Sequence, residues 1–188
     1  MQKNFLRKRT SKIEFMKIFL IGYMGSGKST VGRMLADEFQ WQFIDLDHYI
    51  EAKENCSIST IFKNKGEVYF RRKELESLKE LLVKDENLIV SLGGGTPCFS
   101  NVMELISQQE DSLSVYLKTS IKELSKRLFS EKNSRPLIAH LDAMEALEDF
   151  IAKHLFERSF FYEQSEVVIK TDQKMVKDIT TEIITLLQ

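Results

Sequence analysis

Ile18-Phe19-Leu20-Ile21-Gly22-Tyr23-Met24-Gly25-Ser26-Gly27-Lys28-Ser29-Thr30 is the stretch that decides the fold of this chain. Gly22-x-x-x-x-Gly27-Lys28-Ser29 meets the G-x-x-x-x-G-K-[ST] phosphate-binding pattern at each fixed position. The apolar run 18–21 precedes it as a buried strand does, and Val31, Leu35 and Phe39 follow at the four-residue spacing of a helix. Glycines let the backbone curl so that successive N–H groups face phosphate oxygens, and the helix adds its positive N-terminal end. Lys28 can then reach the terminal phosphate, and the Ser29 hydroxyl can ligate Mg²⁺. The alternative is a glycine-rich turn beside a stray lysine. With glycine near ~7% of average sequence, a chance match in a chain this long has odds on the order of one percent, and the flanking pattern lowers them further. The stretch binds a nucleoside triphosphate.

The 188 residues suffice for one domain with a proper core, and 43% hydrophobic with 29% charged residues is ordinary for a globular chain. A formal net charge of −1 gives no global basic field for nucleic acid or an anionic membrane, and no apolar stretch is long enough to span one. Cys56 and Cys98 alone make neither a disulfide framework nor a metal site, so plain thiols in a reducing cytoplasm are expected. Residues 1–15 set Lys3, Arg7, Lys8, Arg9 and Lys12 against Glu14 and lack the apolar core of a signal peptide. They are expected to form a flexible basic arm before a single domain at 16–188. A weak anion-binding tail, or translation that starts at Met16, would also account for their composition.

Further strands are predicted at 42–47, 87–92, 113–117 and 167–169, with helices at 67–83, 101–108, 121–129, 142–162 and 175–187. Strands alternating with helices of this length imply parallel crossovers and an α/β sheet covered on both faces, with ligands at the carboxyl ends of its strands. The phosphate loop, Asp45 and Asp47, and Gly93-Gly94-Gly95 all fall at such ends. Three consecutive glycines suggest backbone approached closely by a ligand or another segment.

Asp45 and Asp47 share a face if their strand persists that far, one serving Mg²⁺ through water and the other contacting a substrate hydroxyl. Capping of a helix that begins near His48 would explain Asp47 alone. Counting 68, 71, 75, 78, 82 places Arg71 on the apolar stripe of Val68, Leu75, Leu78 and Leu82, with Glu74 able to orient it. Leu147, Ile151, Leu155, Arg158 and Tyr162 repeat that pattern. One inward arginine can snorkel to the rim; two suggest an anionic ligand such as a carboxylate held bidentately. Residues 131–140, centred on Arg135-Pro136, are either a lid that carries a cation to the transferring phosphate or an ordinary surface loop. His48, His140 and His154 share no motif spacing and receive no role, and Trp41 is expected to pack near the second strand.

Taken together, the chain resembles the shikimate kinases, small P-loop kinases of the adenylate-kinase-like fold. The resemblance rests on 22–30, Phe-Ile-Asp-Leu-Asp at 43–47, Ser57-Ile58-x-x-Ile61-Phe62, and Gly66-Glu67-x-x-Phe70-Arg71-x-x-Glu74. Gly93-Gly94-Gly95, Arg135-Pro136-Leu137 and Glu157-Arg158-x-x-x-Tyr162 complete it. It implies a three-layer α/β/α fold with a five-stranded parallel sheet of order 2-3-1-4-5. It further implies a monomeric enzyme that phosphorylates the 3-hydroxyl of shikimate with ATP and Mg²⁺ and has no nucleic-acid or membrane partner. Position by position, Gly25, Ser26, Gly27, Lys28, Ser29 and Thr30 would hold ATP together with Arg127 near the adenine and Arg135 from a lid at about 129–142. Ser29 would ligate Mg²⁺ with Asp45 behind it. Asp47 would face the ring hydroxyls as candidate base. Arg71 and Arg158 would clamp the carboxylate, with Gly93, Gly94 and Gly95 lining a substrate region that begins at about 47–83. Ser165 stands where the family usually has alanine, and Asp172-Gln173-Lys174 matches its adenine-side loop only loosely. Another small P-loop kinase, for gluconate or a nucleotide, would share 22–29 without needing both arginines and the triple glycine. A non-catalytic nucleotide-binding protein would not need Lys28, Asp47 and Arg135 together.

Overall fold

The computed structural model describes residues 14–132, 135 and 137–187. The basic arm expected over 1–15 therefore lies, but for its last two residues, outside the described residues, as does Pro136. Five strands, β1 (Lys17–Ile21), β2 (Gln42–Asp45), β3 (Leu88–Ser91), β4 (Ser112–Lys118) and β5 (Val167–Lys170), form one sheet of order β2-β3-β1-β4-β5. Every pairing is parallel; Phe19 of β1 stands between Val90 of β3 and Ser114 of β4. Among the described residues seven α-helices connect and cover it: α1 (Lys28–Phe39), α2 (Leu46–Glu54), α3 (Ile58–Leu82), α4 (Val102–Ser107), α5 (Ile121–Glu131), α6 (Met144–Tyr162) and α7 (Val176–Leu187).

All five residues of β1 are buried, as a central parallel strand with both faces covered requires. Its side chains alternate between two cores. Ile18 and Leu20 join Val31, Leu35, Ile179 and Ile183 of α1 and α7. Phe19 and Ile21 join Phe70, Leu78, Leu124, Leu128, Leu147 and Ile151 of α3, α5 and α6. The three-layer α/β/α arrangement is thus written in one short strand. Helix α1 lies directly on the sheet: a methyl group at Gly32 would stand 2.4 Å from Phe43 Cε2 and 3.0 Å from Leu20 Cδ1. That close approach holds the first turn of α1 over the carboxyl ends of β1 and β2. Trp41 stacks on Phe39 at 4.8 Å beside β2.

Two expectations are corrected. The strand predicted at 42–47 ends at Asp45, because α2 begins at Leu46, so Asp45 and Asp47 do not share a strand face. The helix predicted at 67–83 is the second half of α3, which turns at Gly66 (φ 80°, ψ 172°), a left-handed backbone that glycine adopts without strain. Val68 is 83% exposed, and the buried stripe is Phe70, Glu74, Ser77, Leu78, Leu81 and Leu82. Arg71 flanks this stripe, and Glu74 sits within it. Helix α2 has no periodic apolar signature to predict it from, with only Leu46 and Ile50 buried among polar residues.

Candidate active site

The phosphate loop leaves β1 at Gly22 and enters α1 at Lys28. Gly25 (φ 78°) and Gly27 (φ 95°) lie in the left-handed region, which is how the chain turns so tightly before the helix. Lys28 Nζ donates to the Gly22 carbonyl at 2.9 Å and to the Tyr23 carbonyl at 3.0 Å. One residue on, Ser29 Oγ donates to Asp45 Oδ2 at 2.9 Å, tying the start of α1 to the end of β2. Above the loop, Arg127 on α5 donates to the Gly25 carbonyl at 3.2 Å and is held by Glu123 at 2.9 Å. Arg135 pairs with Glu131 at 2.7 Å. A cavity of about 640 Å³ is bounded by these residues, by Thr30 and Lys174, and at its other end by Asp47, Gly93 and Gly94.

Behind that end stands a second group of charges. Glu74, 1% exposed, receives Arg71 Nη1 at 2.5 Å on one carboxylate oxygen and the Thr96 hydroxyl at 2.5 Å on the other. Burial pulls the Arg71 guanidinium down, but Glu74 and Glu67 outweigh it and the net shift is upward, so Arg71 stays charged. A methyl group on Gly95 would stand 2.5 Å from Arg71 Nη2, and one on Gly94 would stand 3.7 Å from Arg158 Nη1. The triple glycine is therefore the strip of bare backbone against which both guanidiniums lie. Tyr162 fixes that strip by donating its hydroxyl to the Gly94 carbonyl at 2.5 Å. The two regions meet at Gly93, where a methyl group would stand 2.9 Å from Glu74 Oε1 and 3.1 Å from Asp47 Oδ1.

The family profile described as shikimate kinase matches residues 24–188. The chain belongs to the shikimate kinase family. It is 47% identical over 171 residues to the shikimate kinase of Flavobacterium johnsoniae, a match covering 91% of this chain and 98% of that one. The crystal structure of shikimate kinase from Bacteroides thetaiotaomicron aligns with a TM-score of 0.83 at 34% identity, over 92% of this chain and 98% of that one. Shikimate kinase from Acinetobacter baumannii in complex with shikimate aligns with a TM-score of 0.81 at 34% identity, over 95% and 96% of the two chains. The activity is that of a shikimate kinase, an ATP-using step of the shikimate pathway, which displaces the gluconate, nucleotide and non-catalytic alternatives.

Within the shikimate kinase fold, Gly25, Ser26, Gly27, Lys28, Ser29, Thr30, Asp45, Asp47, Arg127 and Arg135 all line the cavity, with Gly93 and Gly94. Arg71, Arg158 and Gly95 are not among the residues that bound it, and both guanidiniums lie against the strip whose Gly93 and Gly94 do bound it. Asp45 and Asp47 still reach one cavity, though not along a strand: α2 starts so abruptly that its first turn delivers Asp47 to the cavity that Asp45 enters from β2. Burial, with the negative charges of Glu74 and Asp45, pushes the Asp47 carboxyl up to about 6, and Lys28 offsets only part of this. Burial pushes the Lys28 ammonium down to about 8, against the pull of Asp47 and Asp45. The Asp47 carboxyl is thus matched to proton transfer near neutral pH, while the Lys28 ammonium keeps its charge there. Of the segment expected as a lid, Ile138 is fully buried, and Lys132 Nζ reaches the Leu141 carbonyl at 3.2 Å and Asp142 at 2.7 Å. Sequence reasoning missed Thr96 and Glu51, whose carboxylate accepts from the Ile58 N–H at 2.8 Å to start α3. Only its place beside the triple glycine pointed to Thr96.

Proposed function

We propose that the phosphate loop, Arg127 and Arg135 hold ATP. Ser29 and Asp45 hold Mg²⁺, and Arg71, Arg158, Gly93, Gly94 and Gly95 hold shikimate with its 3-hydroxyl facing Asp47. A planar guanidinium suits a planar carboxylate, and two of them approach the same glycine strip. The shikimate bound in the Acinetobacter baumannii relative supports that substrate for this chain. Hydroxyl and carboxylate oxygens are the donors Mg²⁺ prefers. Among the described residues no cluster of three His, Cys, Asp or Glu side chains forms a cation site, which fits an ion completed by phosphate oxygens and water. When bound, the ion neutralises charge on the terminal phosphates.

Lys28 stabilises the charge on the transferring phosphoryl group. Asp47 accepts a hydrogen bond from the attacking hydroxyl, aligns it, and takes its proton as the new P–O bond forms and the bond between the γ-phosphorus and the bridging oxygen breaks, with ADP leaving. The observation that carries this scheme is the position of Asp47, in one cavity with Lys28 yet 3.1 Å from the methyl position on Gly93. Residues 47–83 serve as the substrate region, 129–142 as the lid and 1–15 as an arm apart from the catalysis. The chain is read as a monomer, and the free thiols of Cys56 and Cys98 support a cytoplasmic setting. Among the described residues no helix is long and apolar enough to cross a membrane.

The test is ADP release across shikimate, gluconate and nucleoside monophosphates, with and without EDTA. Turnover with shikimate alone, abolished by EDTA while calorimetry still detects shikimate binding, is expected. Metal-independent turnover would remove Ser29 and Asp45 from the scheme.

A further inference from the structure

Tyr23 belongs to the phosphate loop, yet its side chain points away from the loop and is 1% exposed. It meets α6, the helix that carries Arg158. The Tyr23 hydroxyl and His154 Nδ1 are 2.8 Å apart, and the His154 ring packs against Phe150 with centroids 4.2 Å apart. One turn further along α6, the Arg158 guanidinium carbon stands 5.7 Å from the centre of the Tyr23 ring, on the distance scale of a cation–π contact. At the other end of the same residue, the Tyr23 carbonyl accepts from Lys28 Nζ at 3.0 Å. One tyrosine thus touches the lysine of the donor site through its backbone, and the arginine of the acceptor site through its ring and, by way of His154, through its hydroxyl.

The neighbouring packing makes this link stiff. A methyl group at Gly94 would stand 3.7 Å from Arg158 Nη1, the Gly22 carbonyl and the Met24 N–H alike, so the glycine strip is wedged between the loop and α6. Burial raises the Tyr23 phenol to about 12 and lowers the His154 imidazole, so a neutral tyrosine faces a neutral histidine at pH 7. A bond between two neutral, oriented groups in a packed setting fixes an angle without adding net charge to the site.

We propose that Tyr23 and His154 are a positioning pair that couples the phosphate loop to α6, so that nucleotide and shikimate each bind more tightly when the other is present. The proposal rests on the assignment of Arg158 to the shikimate carboxylate. Neither residue touches substrate through the atoms of this bond; they act by holding Lys28 and Arg158 in one frame. Coupling between two ligands is reciprocal, so the same factor must appear whichever ligand is added first.

The test is a calorimetric cycle in the full chain: ADP alone, shikimate alone, and each in the presence of the other. Tyr23→Phe keeps the ring and the backbone carbonyl and removes only the hydroxyl. The wild type is expected to show a coupling factor that Tyr23→Phe lowers by about three- to tenfold, the range of one lost hydrogen bond. Each single-ligand affinity should stay within about twofold. His154→Leu should give the same loss with no further loss in the double variant, whereas His154→Asn, which restores an acceptor, should recover most of it. Equal weakening of both ligands alone with coupling intact would make the pair merely structural and overturn the proposal, as would a wild type without coupling. Arg158→Lys separates the two layers. If shikimate binding by itself is unchanged in that variant, the carboxylate assignment fails, whereas full coupling in Tyr23→Phe fails the linkage alone.

Discussion

The two halves of the site are built by opposite means. In the proposed scheme the donor half centres on a run of consecutive residues that binds through backbone groups, turned into shape by Gly25 and Gly27 and anchored at both ends by β1 and α1, with Arg127 and Arg135 beside it. The acceptor half is made of side chains from α2, α3 and α6 that meet only over the strip 93–95, and its arginines are placed by partners: Glu74 and Glu67 for Arg71, Tyr23 and Tyr162 for Arg158. A loop made of backbone tolerates many side-chain changes and depends sharply on one charge. A site made of paired side chains depends on the geometry of each pair. Substitutions should therefore act on turnover in the first half and on shikimate affinity in the second, with Asp47, where the halves meet, affecting both.

Lys28→Met removes the phosphate loop's own charge and should lower kcat by about 10²–10⁴ while the chain stays folded. Steady-state kinetics with a thermal melt checks it, and wild-type turnover would break the contrast at its strongest point.

Asp47→Asn should cost about 10²–10⁴ in kcat with a smaller loss of shikimate affinity, since the amide keeps an acceptor oxygen but cannot take a proton. A loss of only about tenfold would mean that the carboxylate chiefly positions the hydroxyl. The pH profile sharpens this. In the wild type, kcat/KM should fall on the acid side near pH 6 as Asp47 takes up a proton, and the asparagine variant should lack that limb. Stability should move the other way. A folded-state pKa raised to about 6 means that the carboxyl's contribution to folding is full below its unfolded value near 4 and is lost as pH rises through about 6. Removing the charge cancels that loss. The variant should melt higher than the wild type at pH 8, by about 1–3 kcal/mol in stability, and converge with it near pH 4.

Arg71→Lys keeps the charge and loses the fork. Shikimate KM should rise by about ten- to a hundredfold while the KM for ATP hardly moves. Equal losses for both substrates would show that Arg71 serves the fold.

The same contrast explains what the sequence could reveal. The donor half was legible because its chemistry needs glycines and a lysine at fixed spacing in one run. The sheet was legible because β1 is apolar from Ile18 to Ile21 and because β1, β2 and β3 run into motif residues. The acceptor half announced itself through the triple glycine and through misfit: Arg71 and Arg158 at positions where apolar residues belong. That signal named Arg71 on a partly wrong stripe, since Val68 is 83% exposed and the buried stripe runs through Phe70 and Glu74 instead. Asp47 was found for an incorrect geometric reason, since no pattern distinguishes a strand that runs to 47 from one that ends at 45 and turns at once into a helix with two buried residues. The bond between Tyr23 and His154 joins residues 131 apart and left no local trace.

Gly95 offers the finest test of the contrast, because space alone should explain it. Its backbone (φ −95°, ψ −18°) is one that alanine adopts freely, so Gly95→Ala carries no dihedral penalty. The added methyl would stand 2.5 Å from Arg71 Nη2 and 2.7 Å from Nη1, closer than such atoms can approach. The guanidinium is the far end of a flexible side chain, however, and can swing aside at little cost to the fold. Doing so takes it from its place on the strip and strains its bond to Glu74. Gly95→Ala should therefore raise shikimate KM by about three- to tenfold, less than Arg71→Lys because the fork survives in a displaced position. kcat should stay within about threefold, and Tm within about 2 °C, which corresponds to less than about 1 kcal/mol for a chain of this size. A drop of about 6 °C or more would mean that Gly95 supports the fold. An unchanged KM with an unchanged Tm would mean that the carboxylate clamp tolerates a displaced Arg71, and that the acceptor half is less dependent on pair geometry than its construction implies.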